Sequence, residues 1–261
     1  MYNSKIMKKF IIYILQRKKR GIHLKNIVIG IEGEVGAGKT SLCRELLDII
    51  PNSMILHGGN LYRGIVYAIK QSKLTLIKVF LDLKFNKKID IKQLMDKLKV
   101  EIKLENRESV IYVNGKKIDE EKLQDSENSM DVSKVAKKAD NSKLYAFGKD
   151  IINEYLKEYN VIVSGRDLLK IYPELDYHFF VTADLETRVQ RKLSQYENEK
   201  VTKQDLLEQI KKRDELQKQS GFYDKSEKTI TVDVTECKSA KESAQKLAKY
   251  INFIEVNNGV S

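Results

Sequence analysis

The chain has 261 residues, of which 41% are hydrophobic and 33% are charged, and only two are prolines. This composition excludes a disordered polymer and an all-β barrel, and it favours a soluble, helix-rich globule built as one domain with an insertion or as two small domains. The net charge of +11 is concentrated in residues 1–25, which hold eight basic residues and no acidic one, so no nucleic-acid partner is expected.

Residues 1–25 are a basic N-terminal extension with a short apolar block at residues 10–15. The block is far shorter than the roughly 20 residues that cross a bilayer. We expect a surface-docked or poorly ordered extension, and an amphipathic helix on an anionic membrane face is the less favoured alternative. Two cysteines and the lack of a cleavable signal favour a reducing, cytoplasmic location.

Predicted strands and helices alternate along the rest of the chain. The β-branched run at residues 26–32 predicts a strand buried on both faces, and residues 41–50 predict a helix after it. Further β-rich runs at residues 161–164 and 177–182 lie beside helical stretches, and residues 239–251 predict the last helix. The alternation is typical of an α/β fold in which helices cover both faces of a parallel sheet.

Residues 84–125 have a different pattern and predict a small inserted subdomain. Alternating strands are predicted at residues 100–105 and 110–117 around a polar turn. Asn114 and Gly115 are a residue pair that favours a second tight turn.

Residues 33–40 read GEVGAGKT and match the phosphate-binding pattern GxxxxGK[ST] between a predicted strand and a predicted helix. The glycines let backbone N–H groups curl around phosphate oxygens at the positive end of the helix. Lys39 is expected to be catalytic by reaching the β- and γ-phosphates, and Thr40 to bind Mg²⁺. The predicted ATP-binding residues are Gly33, Glu34, Val35, Gly36, Ala37, Gly38, Lys39, Thr40 and Ser41.

A phosphate-binding loop alone leaves GTPases, motor ATPases and small-molecule kinases open. The sequence has no NKxD guanine-binding motif. The run at residues 161–164 does not end in the paired acidic residues of a mechanical ATPase. These differences favour a kinase.

Four further motifs follow the loop in order: LYRG at residues 61–64, SKVA at 133–136, SGRD at 164–167 and IKKRDE at 210–215. Their order and spacing resemble bacterial cytidylate kinases over residues 26–251. The resemblance implies a P-loop nucleoside monophosphate kinase that uses ATP and Mg²⁺ to phosphorylate CMP or dCMP, with small nucleotides as its partners, and we expect a monomer. The expected domains are the extension at 1–25, a first core part at 26–83, the inserted NMP-binding subdomain at 84–125, the rest of the core at 126–251 with a lid at about 188–200, and a tail at 252–261.

The resemblance also implies roles for individual arginines. Arg63 and Arg166 correspond to ligands of the acceptor phosphate, and two guanidinium groups suit a doubly charged phosphate. Arg213 corresponds to another residue that faces the acceptor. Arg188 and Arg191 correspond to a mobile lid that closes over the phosphates and neutralises charge in the transition state. Each of them has the alternative of a solvated surface charge.

Two acceptor residues are implied outside the phosphate. Asp167 corresponds to a contact with the cytosine amino group, with a helix cap as the alternative. Ser133 corresponds to a position on the ribose side, with a helix-surface serine as the alternative.

The chain departs from the family pattern mainly where the family holds base, sugar or metal. The departures are His57, Gly58, Lys143 or Tyr145, Ser164, Gln217 and Ser220. The phosphate-gripping residues remain, so the first hypothesis is a CMP or dCMP kinase. The second is a divergent kinase for another small phosphorylated acceptor, and the third is a non-catalytic nucleotide-binding protein that acts through its basic extension.

Overall fold

A computed structural model describes residues 25–72, 91–124, 142–194, 202–223 and 225–251. The strands in these ranges are β1 (Val28–Gly33), β2 (Ser53–His57), β3 (Val100–Glu105), β4 (Glu108–Val113), β5 (Lys116–Lys117), β6 (Asn160–Ser164), β7 (Tyr177–Thr182) and β8 (Thr229–Asp233). The helices are α1 (Lys39–Leu47), α2 (Gly58–Gln71), α3 (Ile91–Leu98), α4 (Glu120–Gln124), α5 (Ser142–Leu156), α6 (Leu168–Ile171), α7 (Leu185–Leu193), α8 (Lys203–Gln219) and α9 (Ala240–Ala248).

The strands form one mostly parallel sheet in the order β3-β4-β2-β6-β1-β7-β8, and β5 pairs with β4. All neighbours are parallel except the pairs β3–β4 and β4–β5. The central strands β1, β2 and β6 are almost wholly buried, because helices cover the sheet and their β-branched side chains pack on both faces. The predicted α/β fold is therefore confirmed, whereas β2 and β8 are strands that the sequence pattern did not reveal.

The register brings three chain reversals to one edge of the sheet. Ser164 at the end of β6 pairs with Ile31 of β1 on one side and with His57 of β2 on the other. The segments that follow these strands are the phosphate-binding loop, the start of α2 and the SGRD turn. In open α/β sheets this carboxyl edge is where ligands bind.

The inserted segment continues the sheet. The hairpin β3–β4 is antiparallel, and β4 meets β2 through the single parallel pair of Ile55 with Glu108. Asn114 and Gly115 form the expected turn, both with positive φ, so that the run predicted at residues 110–117 is divided into β4 and β5. An apolar cluster separate from that of β1 joins this hairpin to α2 and α3.

Several predictions concern residues outside the described ranges: the basic extension through residue 24, Ser133, lid residues 195–200 and the tail at 252–261. In the part of the chain that the structure describes, no helix combines the length and the apolar character needed to span a bilayer.

Candidate active site

A cavity of about 1150 Å³ opens at the carboxyl edge of the sheet. One wall is the phosphate-binding loop and the first turn of α1, and the other is formed by the start of α2, the SGRD turn and part of α8. Five predicted cationic site residues line it: Lys39, Arg63, Arg166, Arg191 and Arg213. The fold thus brings the predicted donor and acceptor groups into one chamber.

The phosphate-binding loop depends on backbone conformations that side chains rarely adopt. Gly33 has φ of 146°, and a Cβ there would lie 2.0 Å from the carbonyl oxygen of Val181. Gly36 and Gly38 have φ of 80° and 86°. Because only glycine takes up such angles without strain, the loop can curl at these three positions, as a phosphate-binding loop must.

Lys39 lies at the floor of this loop. Its Nζ donates to the carbonyl oxygens of Gly33 at 2.8 Å and Glu34 at 2.6 Å. Burial, with the charges of Arg166 and Arg213, lowers the pKa of Lys39 to about 7. In the ligand-free protein the ammonium is therefore destabilised, and a bound polyphosphate would restore its charge.

The arginines of the opposite wall are held close together although their charges repel. Burial, Arg166 and Arg213 lower the pKa of Arg63 to about 10. Burial and Arg213 also lower the pKa of Arg166. Holding several like charges in a partly desolvated chamber costs free energy, and an anionic ligand offsets that cost.

Local contacts orient two of these guanidinium groups. Nη1 of Arg63 donates to Oδ1 of Asn60 at 3.2 Å, one turn earlier in α2. The guanidinium carbon of Arg166 lies 5.4 Å from the centre of the Phe222 ring. Both arrangements present nitrogen donors at the cavity wall.

Asp167 lines the same cavity and is held from two sides. Its Oδ2 accepts from the Tyr145 hydroxyl at 2.8 Å, and its Oδ1 accepts from Lys170 Nζ at 2.8 Å. Asp167 has φ of 54° and forms no side-chain cap on α6, so the capping alternative is not what the structure shows. Tyr145, one of the departures from the family pattern, thus holds Asp167 in place.

Three other departures from the family pattern are His57, Gly58 and Gln217. Nε2 of His57 lies 2.8 Å from Oε2 of Glu108. Gly58 presents no side chain, and a Cβ there would approach only to 3.5 Å from an oxygen of Ser164. Gln217 is 4% exposed, and its Oε1 has no hydrogen-bond partner within the described ranges.

Arg188 differs from the expected mobile lid residue. It is 6% exposed, and among the described residues it is not one of those lining the cavity. Its guanidinium donates to the carbonyl oxygens of Ala183 at 2.9 Å and Val35 at 3.1 Å, and Nη1 lies 2.5 Å from Oδ2 of Asp214. These contacts hold Arg188 behind the loop rather than above the phosphates.

Arg191, three residues later, does line the cavity. Its Nη2 donates to the carbonyl oxygens of Val234 at 2.7 Å and Cys237 at 2.9 Å, and its Nη1 lies 3.4 Å from that of Ala37. Arg191 therefore ties the segment after β8 to the phosphate-binding loop.

Sequence reasoning missed one part of the cavity wall. Residues 237–240 and Ser243 line it next to the loop. Ser239 caps α9 by accepting from the backbone N–H of Glu242, and a serine three residues before a glutamate is a recognisable helix start. That signal predicts where the helix begins, but it does not predict that the helix lies against a loop about 200 residues earlier in the chain.

The sequence matches the family model described as cytidylate kinase over residues 29–253. The cytidylate kinase of Clostridium botulinum (strain Langeland / NCTC 10281 / Type F) is 29% identical over 192 residues, which are 72% of this chain and 80% of that protein. The cytidylate kinase of Clostridioides difficile (strain 630) is 26% identical over 233 residues, 87% of this chain and 99% of that one. A solved structure of an uncharacterized protein from Eubacterium ventriosum ATCC 27560 covers 87% of this chain and 98% of its own, with 18% identity and a TM-score of 0.42.

Proposed function

The chain belongs to the cytidylate kinase family, and from this membership we propose that it transfers the γ-phosphoryl group of ATP to CMP or dCMP. The observation that carries the proposal is the meeting of Lys39, Arg63, Arg166 and Arg213 in one cavity with a phosphate-binding loop. We also propose that the protein is a monomer, that it is located in the cytoplasm and that it acts on small nucleotides.

The donor triphosphate is assigned to the loop and Lys39. The acceptor phosphate is assigned to Arg63 and Arg166, whose planar groups bind a phosphate through two nitrogens at once. An acceptor oxygen attacks the γ-phosphorus, a new P–O bond forms, and the bond to the bridging oxygen of ADP breaks. The protein contributes position and positive charge, which is most of what phosphoryl transfer requires.

Thr40 is proposed as the protein's ligand to Mg²⁺. It stands in the first turn of α1, lines the cavity next to Lys39, and offers the hard oxygen ligand that Mg²⁺ takes. Across the described ranges no group of three or more His, Cys, Asp or Glu side chains could hold a metal ion. The remaining ligands would be phosphate oxygens and water, as Mg²⁺ at nucleotide sites prefers, and the ion would neutralise donor charge.

A second candidate is a kinase of the same type with another small phosphorylated acceptor. The missing side chain at Gly58 and the buried Gln217 favour it, because both stand where the family is expected to contact base or sugar. Losing a hydrogen bond to a buried polar ligand costs about 1–3 kcal/mol, so two losses are enough to change acceptor preference.

The proposed function is tested by measuring ADP release from MgATP with each common nucleoside monophosphate. We expect turnover with CMP and dCMP, and kcat/KM values above those with AMP, GMP and UMP. A clear preference for another acceptor would support the second candidate. No turnover with any monophosphate, in a protein that binds MgATP, would refute the kinase assignment.

The family pattern that the chain resembles has a serine or threonine in the place of Gly58. Replacing Gly58 with serine is expected to raise kcat/KM for CMP about fivefold to tenfold, since one restored hydrogen bond is worth about 1 kcal/mol. A Cβ at Gly58 meets only ordinary contacts. The KM for MgATP should not change. Gly59→Ser is the matched control, because a Cβ there would lie 2.9 Å from Nη1 of Arg63 and should weaken acceptor binding instead. An unchanged CMP value in Gly58→Ser would contradict a cytosine pocket at this position.

A further inference from the structure

Both helices of the pair α7–α8 contact the phosphate-binding loop at Val35. The Val35 N–H faces Oδ1 of Asp214 at 3.4 Å, and its carbonyl oxygen accepts from Nη1 of Arg188 at 3.1 Å. Arg188 and Asp214 are themselves paired at 2.5 Å. One buried ion pair therefore binds both the backbone N–H and the backbone carbonyl group of Val35.

The apolar contacts at the same place come from the same two helices. The Val35 side chain packs in a cluster with Val189 of α7 and with Leu206 and Ile210 of α8. Next to it, a Cβ on Gly36 would lie 3.1 Å from the Arg188 carbonyl oxygen, so loop and helix backbones are in close approach.

Two further side chains complete the arrangement. The Tyr223 hydroxyl donates to Oδ1 of Asp214 at 2.5 Å, and its ring packs edge-on against Phe180 at 5.3 Å. Glu34 accepts from the Thr182 hydroxyl at 2.6 Å through Oε2, which lies 3.5 Å from Nε of Arg188. The loop is thus held on both sides of its Val35 peptide.

The position of Asp214 in the chain links the two halves of the cavity. Its neighbour Arg213 lines the cavity and acts on Lys39 and Arg63 through its charge, while Asp214 points back to the loop. A shift of α8 would therefore move Arg213, on the proposed acceptor side, and, through Asp214, the Val35 peptide on the proposed donor side.

We propose that Arg188 and Asp214 are positioning residues that clamp the Val35 peptide, shaping the phosphate-binding loop and setting its distance from Arg213. The inference rests on the proposed function in taking the loop as the donor site. It assigns Arg188 a task other than closing over phosphates. It also gives a reason for a buried ion pair, which on its own is weak evidence for stability.

The test compares Asp214→Asn with the parent in the full chain. Asparagine keeps the shape and an oxygen acceptor but removes the charge that holds Arg188. Well below its melting temperature, the variant should bind MgATP about tenfold more weakly and lose kcat, since charge-assisted hydrogen bonds to the loop are lost. Amide hydrogen exchange of a peptide covering the loop should accelerate, while peptides covering β6 keep parental protection.

Lys203→Met is the matched control. Lys203 also joins the two helices, through an exposed ion pair with Glu186, but it does not reach the loop. It should leave MgATP affinity and loop exchange unchanged. If Asp214→Asn does not fold, Tyr223→Phe tests the proposal, because it removes only the hydroxyl bonded to Asp214. We expect this variant to show faster loop exchange and severalfold weaker MgATP binding.

If a folded Asp214→Asn protein keeps the parental MgATP affinity and the parental rate of loop exchange, the proposed clamp is wrong. The Arg188–Asp214 ion pair would then have only a structural role. The same result in Tyr223→Phe, where only that variant folds, would contradict the clamp too. Both readouts are independent of phosphoryl transfer. A parent that binds MgATP but phosphorylates no acceptor would therefore refute the proposed function without deciding the clamp.

Discussion

Replacing Lys39 with alanine is expected to reduce phosphoryl transfer about 100- to 1000-fold, the usual effect of removing one preorganised charge from a transition state. Lys39 is anchored to the loop through the carbonyl oxygens of Gly33 and Glu34, so its amino group is already held at the site proposed for the donor phosphates. The measurement is kcat for ADP release at saturating MgATP and CMP. Lys157→Ala is the control, because Lys157 is exposed and pairs with Glu154.

The same variant has a second readout that depends on the pKa of about 7. At pH 8 most of the free protein has neutral Lys39, whereas a polyphosphate binds the charged form, so ATP binding takes up a proton. Affinity should fall as the pH rises above 7. Titration calorimetry in buffers of different ionisation enthalpy detects this proton, and Lys39→Ala should show less uptake by the amount that Lys39 contributes. Equal proton uptake in the parent and the variant would show that Lys39 is not the group that titrates.

Replacing Arg166 with methionine is expected to raise the KM for the acceptor about 10- to 100-fold and to lower kcat, because each charge-assisted hydrogen bond contributes about 1.5–3 kcal/mol. The KM for MgATP should change much less. Removing the charge also relieves repulsion with Arg213, so the free protein should melt no lower than the parent. Steady-state kinetics and thermal unfolding measure the two effects.

Arg166→Lys separates charge from geometry in this experiment. Lysine keeps the charge but cannot bind a phosphate through a planar pair of nitrogens, so it should recover only part of the acceptor affinity. Arg107→Met is the control: Arg107 forms an exposed ion pair with Asp48. A parental acceptor KM in Arg166→Met would remove Arg166 from the acceptor site.

The phosphate-binding loop was predictable because its signal is local. Strand, glycine loop and helix follow one another within residues 26–50, and the positive φ angles at Gly33, Gly36 and Gly38 explain why these residues recur at that spacing. That Arg63 and Arg166 line one cavity was predictable only through ordered motifs and a family resemblance, since LYRG and SGRD are about 100 residues apart. The family assignment itself is confirmed by the match over residues 29–253.

Arg188 shows where that reasoning ended. The motif predicted that Arg188 lies on a helix with Arg191, but it did not predict the direction of either side chain. Burial against Val35 and pairing with Asp214 depend on how α7 and α8 pack on the loop. The strands β2 and β8 were likewise missed, because short runs such as residues 229–233 gain their conformation from pairing with a neighbouring strand.

By itself the sequence determined the fold class, the phosphate-binding loop and the family, because hydrophobic period, glycine conformation and motif order are properties of neighbouring residues. Only the tertiary structure decided that Lys39, Arg63, Arg166 and Arg213 share a chamber and that Arg188 stands behind it. Parallel strand register brings the ends of β1, β2 and β6 to one edge. The direction of a long side chain there depends on which buried partners it finds, and those partners lie far away in the chain.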